Sequence, residues 1–320
     1  MPTHVVAGSV SSDGSPAGDA RGDFYVRALG SGTYIVEFER AMENVPAVVV
    51  TQNYPAWSAF DSTSGDPRDN AILLAIDAKG FMVVTGDSKG SHKDRDFSFL
   101  AAARADADSI PPMVWGDINA DASTRSGSGF TVTNIGDGTY LGELDPPFRT
   151  FKSLVLTQNY KDWNDFAYSN GDTRDNAVLV AVNPSQFKYI TGQDTGAKSD
   201  RNCSFVVAGD RTGTSAPPRM VFGCVNGDLT IYEDGSRDYE VTSGAAGEYT
   251  IQWITPFQTL PAVMVTVNPQ SWTRFSTSSA STLNNGVLVA VDQYKAKLAI
   301  GNESGDKTNS RNFAFLVVGS

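Results

Sequence analysis

Two stretches of this chain set aromatic rings shortly ahead of charged and amide side chains. In TQNYPAWSAFDSTSGDPRDNAILLA (Thr51 to Ala75), Tyr54 and Trp57 precede Arg68-Asp69-Asn70. In TQNYKDWNDFAYSNGDTRDNAVLVA (Thr157 to Ala181), Tyr160 and Trp163 precede Arg174-Asp175-Asn176. Aromatic rings offer apolar area for the C–H faces of a sugar, and charged or planar polar groups make the stronger hydrogen bonds to hydroxyls. These ten residues are the candidate ligand-binding set, with Phe60 and Phe166 bordering it.

A third stretch, Thr266 to Ala290, sorts the roles. It keeps Trp272, Phe275 and Asn285, but Leu283 and Asn284 stand where the others have Arg and Asp, and Pro269 stands for Tyr. Trp57, Trp163 and Trp272 survive the loss of the polar pair, which is the behaviour of packing residues. Asn70, Asn176 and Asn285 read as local turn residues. Arg68/Asp69 and Arg174/Asp175 remain the better ligand candidates, with a solvated ion pair as the plain alternative.

Other chemistry finds little support. The only histidines are His4 and His92, at positions that do not recur, so His-based nucleophile activation and multi-His metal sites are not expected. Asp61, Asp66 and Asp69, with Asp172 and Asp175, raise a calcium reading, but the spacing matches no EF-hand and an arginine interrupts each group. No Walker or dinucleotide motif is present. The expectation is a protein without catalytic residues, metal or cofactor.

The formal charge of −11 argues against nucleic acid, which selects clustered Lys and Arg. No apolar run approaches the roughly 18 residues that span a bilayer, so membrane insertion is not expected. The N-terminal MPTHVVAGSV lacks a cleavable export signal. Cytoplasmic synthesis followed by an extracellular or virion-associated role after release is the expectation. Cys203 and Cys224 could form one bridge, but two buried free thiols are favoured.

The elements that position these residues repeat. Thr51–Asp77 matches Thr157–Asn183 at 14 of 27 positions and Thr266–Asp292 at 9 of 27. Tyr34, Tyr140 and Tyr249 recur in the same way, as do Gly86, Gly192 and Gly301. Joints at SIPPMVWG and SAPPRMVFG divide the chain into repeats 1–109, 110–217 and 218–320. Each shows GTY-type, PAVVVTQ-type and FMVVTGD-type β-branched runs between Gly turns, with no helical period. The fold class expected is all-β, three tandem antiparallel β-sandwiches. The polar loops Gly86–Asp96, Gly192–Asn202 and Gly301–Asn312 each carry an arginine, Arg95, Arg201 and Arg311, expected to meet acidic neighbours.

The order GTY.V.F…PAVVVTQ…DNAILLAID..GFMVVTGDS…RDFSFLA resembles modules of bacterial and phage surface proteins and H-type lectins. That resemblance implies six-stranded sandwiches packed with pseudo-threefold symmetry, three linked copies standing in for three chains. It also implies sugar binding at shared edges. The function expected is noncatalytic binding of a glycan or cell-surface receptor. The alternative is a structural decoration or fibre-associated subunit that docks onto other subunits of a larger assembly.

Overall fold

A computed structural model describes residues 3–17, 23–53, 68–106, 110–159, 163, 174–210, 217–233, 235–269, 272, 281 and 283–320. The described residues form strands and turns without a helix. The first third of the chain holds β1 (Thr3–Val10), β2 (Pro16–Ala17), β3 (Phe24–Gly30), β4 (Thr33–Phe38), β5 (Ala47–Asn53), β6 (Ala71–Asp77), β7 (Gly80–Thr85) and β8 (Asp96–Arg104). The middle third holds β9 (Met113–Ile118), β10 (Thr124–Gly127), β11 (Phe130–Gly136), β12 (Thr139–Leu144), β13 (Thr150–Asn159), β14 (Ala177–Val182), β15 (Gln186–Thr191) and β16 (Asn202–Asp210). The last third holds β17 (Arg219–Val225), β18 (Ile231–Glu233), β19 (Tyr239–Ser243), β20 (Glu248–Trp253), β21 (Ala262–Asn268), β22 (Asn285–Val291), β23 (Lys295–Gly301) and β24 (Asn312–Gly319).

Residue pattern separates two kinds of strand. β3 alternates, with Phe24 buried and Tyr25 and Arg27 exposed, as a strand with one wet face should. β5, with the run AVVVTQN, is buried at every position. A continuous apolar run of this kind is covered on both faces. The covering comes from other parts of the chain: one core cluster joins Val48 and Phe99 to Val155, Val206, Met264 and Leu316.

The sheets explain that sharing. Strands β2, β1, β8 and β5 form one antiparallel block, and β11, β12, β15 and β14 another. The two join edge to edge through a single parallel bridge, Leu179 to Asn53. The block β10-β9-β16-β13 joins β22-β23-β20-β19 by the same bridge, Asn159 to Leu288. The remaining blocks, β18-β17-β24-β21 and β3-β4-β7-β6, meet where Asn268 Nδ2 donates to Leu74 O (3.2 Å) and Ile76 N to Trp272 O (2.8 Å). Within the middle third, two blocks face each other over Phe130, Phe187 and Phe205, whose rings sit 4.8–4.9 Å apart. Burying such rings is the main source of stability in a sheet that has no helix to cover it.

Both cysteines are free and buried. Burial pushes the Cys203 thiol well above its ordinary range, which makes it inert rather than reactive. Asp117 is also sealed in the interior, where it accepts from Ser204 Oγ (2.5 Å) and Ser126 Oγ (2.8 Å).

Candidate functional site

Strand direction gathers the polar loops at one end of the molecule. β5 finishes at Asn53 opposite Asp96, where β8 begins, so the loop 86–95 and the last residue of β5 share that end. β13 finishes at Asn159 opposite Asn202, and β21 at Asn268 opposite Asn312. Arg68, Arg174 and Leu283 lie in turns just ahead of β6, β14 and β22.

Two rings of hydrogen bonds tie the three parts together here. Thr51 Oγ1 donates to Leu156 O (3.2 Å) and accepts from Leu156 N (2.9 Å). Thr157 Oγ1 accepts from Val265 N (3.2 Å), and Thr266 Oγ1 from Val50 N (2.9 Å). Above them, Asn176 Nδ2 donates to Asp69 O (3.2 Å) and Asn70 Oδ1 (3.3 Å). Asn70 Nδ2 donates to Asn284 O (3.0 Å) and Asn285 Oδ1 (3.4 Å), and Asn285 Nδ2 to Asp175 O (3.1 Å). The three asparagines therefore reach across to another third of the chain, instead of serving a local turn. Beneath the ring, Thr51, Thr157, Thr266 and the asparagines line a cavity of about 10 Å³, room for a single water.

Arg68, Asp69 and Asn70 belong to one face of this arrangement, and Arg174, Asp175 and Asn176 to the next. Asp69 and Asp175 are buried, and each faces the arginine of the second loop: Arg95 Nε lies 3.9 Å from Asp69 Oδ2 and Arg201 Nε lies 4.0 Å from Asp175 Oδ2. In the last third Asn284 fills the aspartate position and accepts from Arg311 Nε at 2.7 Å. The arginines thus clasp one polar loop to the other, with Asp69 and Asp175 as partners in two thirds and Asn284 in the last, where Arg311 Nη2 also lies 3.5 Å from Glu303 Oε2. Because Asn284 already serves, Asp175→Asn should change stability by less than about 1 kcal/mol. Asp175→Ala should cost about 1–3 kcal/mol, since it removes the counter-charge that the Arg201 guanidinium faces at 4.0 Å. Urea unfolding of both variants checks this, and equal losses would remove the clasp.

The outer arginines are placed differently. Arg174 Nη2 lies 3.5 Å from Asp194 Oδ2, both partly exposed. Arg68 lies across the neighbouring loop, over Gly196, where an added Cβ would come within 2.6 Å of the guanidinium. Gly196 also has φ of +84°, so both its conformation and its closeness to Arg68 call for glycine.

Trp163 is buried, with Nε1 donating to Asn119 Oδ1 (2.8 Å) and the Arg125 guanidinium 4.7 Å from its ring centre. Trp272 is buried likewise, donating to Asn226 Oδ1 (2.7 Å) and stacking on Tyr232. Both carbonyls accept from another third, Trp163 O from Val291 N and Trp272 O from Ile76 N, each at 2.8 Å. Tyr54, Trp57, Phe60, Tyr160, Phe166 and Phe275 lie outside the described residues, as do Asp61, Asp66 and Asp172 of the calcium reading. Among the described residues no group of three or more His, Cys, Asp or Glu side chains could hold a metal ion.

The threonine ring and the amide clamps of Gln52 on Gly86 and Gln158 on Gly192 went unrecognised in the sequence. Their signal was present, since Thr begins each of the three stretches, but a β-branched residue in a strand calls for no partner. No protein-family model, no curated protein and no solved structure matches the chain.

Proposed function

We propose that the chain is a noncatalytic binding protein that recognises carbohydrate on a cell surface through the loop end just described. It does so as three tandem β-sandwich units, 1–109, 110–217 and 218–320, closed about a pseudo-threefold axis. The threonine and asparagine rings carry this reading. They run from the first unit to the second, the second to the third and the third to the first, and they fix three polar loops on one rigid end. Loops held on a rigid scaffold are the usual carriers of binding.

The units are not equivalent as ligand sites. Arg68 and Arg174 supply charged forks in the first two, and Leu283 supplies none in the third. Asp69 and Asp175 face Arg95 and Arg201, and Asn70 and Asn176 tie one unit to another. These four act by fixing the loop end that carries Arg68 and Arg174, while Trp163 is a packing residue. Tyr54 and Tyr160 are the proposed apolar platforms. Linked weak sites gain through effective concentration, by about 10²–10⁴ when geometry allows joint engagement. Such a protein suits recognition at a bacterial or phage surface after release.

A glycan array printed at low and high density tests the proposal. The intact chain should retain a small set of glycans, with retention rising steeply at high density. Absence of any retained glycan at either density would end the carbohydrate reading.

A further inference from the structure

We infer that the carbohydrate taken at the loop end is an acidic glycan, whose sugars carry carboxylate or sulfate groups, and that Arg68 and Arg174 hold it together on a single turn of the middle unit. This rests on the carbohydrate reading of the loop end and narrows it to one ligand class and one locus.

The turn spans 193–197. Gln193 N donates to Ala197 O (3.0 Å) and Gly196 N to Gln193 O (2.8 Å), so the chain doubles back here. Arg174 Nη2 approaches it from within the same unit, 3.5 Å from Asp194 Oδ2. Arg68 arrives from the first unit: a Cβ added at Gly196 would come 2.6 Å from its Nη2 and 2.7 Å from its Nε. Asp194 and Gly196 are so near in the chain that their Cα atoms lie no more than about 7 Å apart. Two guanidiniums that belong to separate stretches of sequence are therefore set against one turn. Thr195 and Ala197 are exposed, so the turn is open to solvent.

The other two turns lack this arrangement. In the first unit, Asp87 N donates to Ser91 O and Gly90 N to Asp87 O, each at 2.9 Å. There the third unit sends Leu283, whose Cγ would stand 3.3 Å from a Cβ added at Gly90. An apolar side chain thus takes the place that Arg68 holds over Gly196. The turn of the third unit, where Asn302 N donates to Asp306 O (3.0 Å), carries Glu303 and Asp306 as carboxylates of its own. The middle turn carries only Asp194, which faces Arg174. The next carboxylate along, Asp200, is turned towards the β11–β12 hairpin, where it accepts from Gly138 N (2.7 Å) and Asn134 Nδ2 (2.9 Å).

Charge and geometry define what fits. A guanidinium is planar and always charged, and it forks onto planar or tetrahedral oxyanions better than onto neutral hydroxyls. The Arg174–Asp194 pair is long and partly exposed, a kind that contributes little, so an incoming anion can share Arg174 at small cost. Two cations set along one turn favour a chain that repeats its negative charge over one that carries a single charge. The net charge of −11 repels such a chain from the rest of the molecule, which confines it to this turn.

The test reprints each glycan that the intact chain retains on an array beside its own neutral form, made by methyl esterification of carboxylates or by desulfation. The retained glycans should be acidic, and their neutral forms should bind at least about tenfold more weakly. Calorimetry with the shortest retained glycan should then give one bound per chain. Arg68→Gln and Arg174→Gln should each weaken that same glycan at least about fivefold. Retention of neutral glycans, or equal binding of the neutralised forms, would overturn the inference and leave the carbohydrate reading intact. Two short glycans per chain would overturn the shared turn. An array that retains no glycan would overturn both readings.

Discussion

Glu248→Gln should lower the unfolding free energy by about 3 kcal/mol, near the low end for breaking a buried ion pair. Glu248 is buried in β20, and its carboxylate meets Lys297 Nζ at 2.9 Å and Lys307 Nζ at 2.5 Å. Burial opposes its charge, but the hydrogen bonds and charges of Lys307 and Lys297 outweigh it and hold the carboxyl below its ordinary range. A neutral amide would leave two ammonium groups facing each other in a nearly dry site. The middle third shows the strain that follows when two lysines are neighbours here. Lys198 is pulled down by burial and then by Lys188, and Thr139 occupies the position of Glu248. The first third avoids it with Met82 where Lys297 stands. Lys297→Met should therefore recover part of the loss in the Glu248→Gln background. Urea midpoints of the single and double variants decide the matter; a loss under 1 kcal/mol, or no recovery, would mean the triad is merely tolerated.

Asp117→Asn should act in the opposite direction and only above acid pH. Burial raises the Asp117 pKa from 3.8 to about 6, against the Ser204 and Ser126 hydrogen bonds and the Arg125 charge that lower it. The folded state thus binds the proton more tightly than the unfolded chain. The contribution of Asp117 to stability is full below about pH 4 and falls as pH rises towards 6, by up to roughly 3 kcal/mol. Asparagine has no charge to bury, and the serine hydroxyls can turn to accept from its amide. At pH 8 the variant should gain about 1–3 kcal/mol, and at pH 4 it should match the parent. A difference that does not change with pH would contradict the buried ionised carboxylate.

The sequence repeat made the strand order legible, because Gly turns and β-branched runs are local signals. Arg95, Arg201 and Arg311 were also legible as partners of acidic neighbours, Arg311 meeting Glu303 as well as the amide of Asn284. The asparagine ring was not, since Asn70 and Asn285 lie 215 residues apart and no spacing reports such a contact. Asp117 escaped for another reason. In VWGDIN it looks like an outward-facing charge, and only the neighbouring Ser204 and Ser126 reveal the interior.

The most direct measurement of the central claim is affinity for an array-selected glycan, with the Arg68→Ala/Arg174→Ala double variant beside the parent. The Arg174 ion pair is partly exposed and contributes about 0–1 kcal/mol, so the variant should remain folded with a nearly unchanged unfolding midpoint. Loss of at least about tenfold in affinity, equivalent to roughly 1.4 kcal/mol, is the predicted result. Undiminished binding by the folded double variant would contradict the account and move the site away from the loop end.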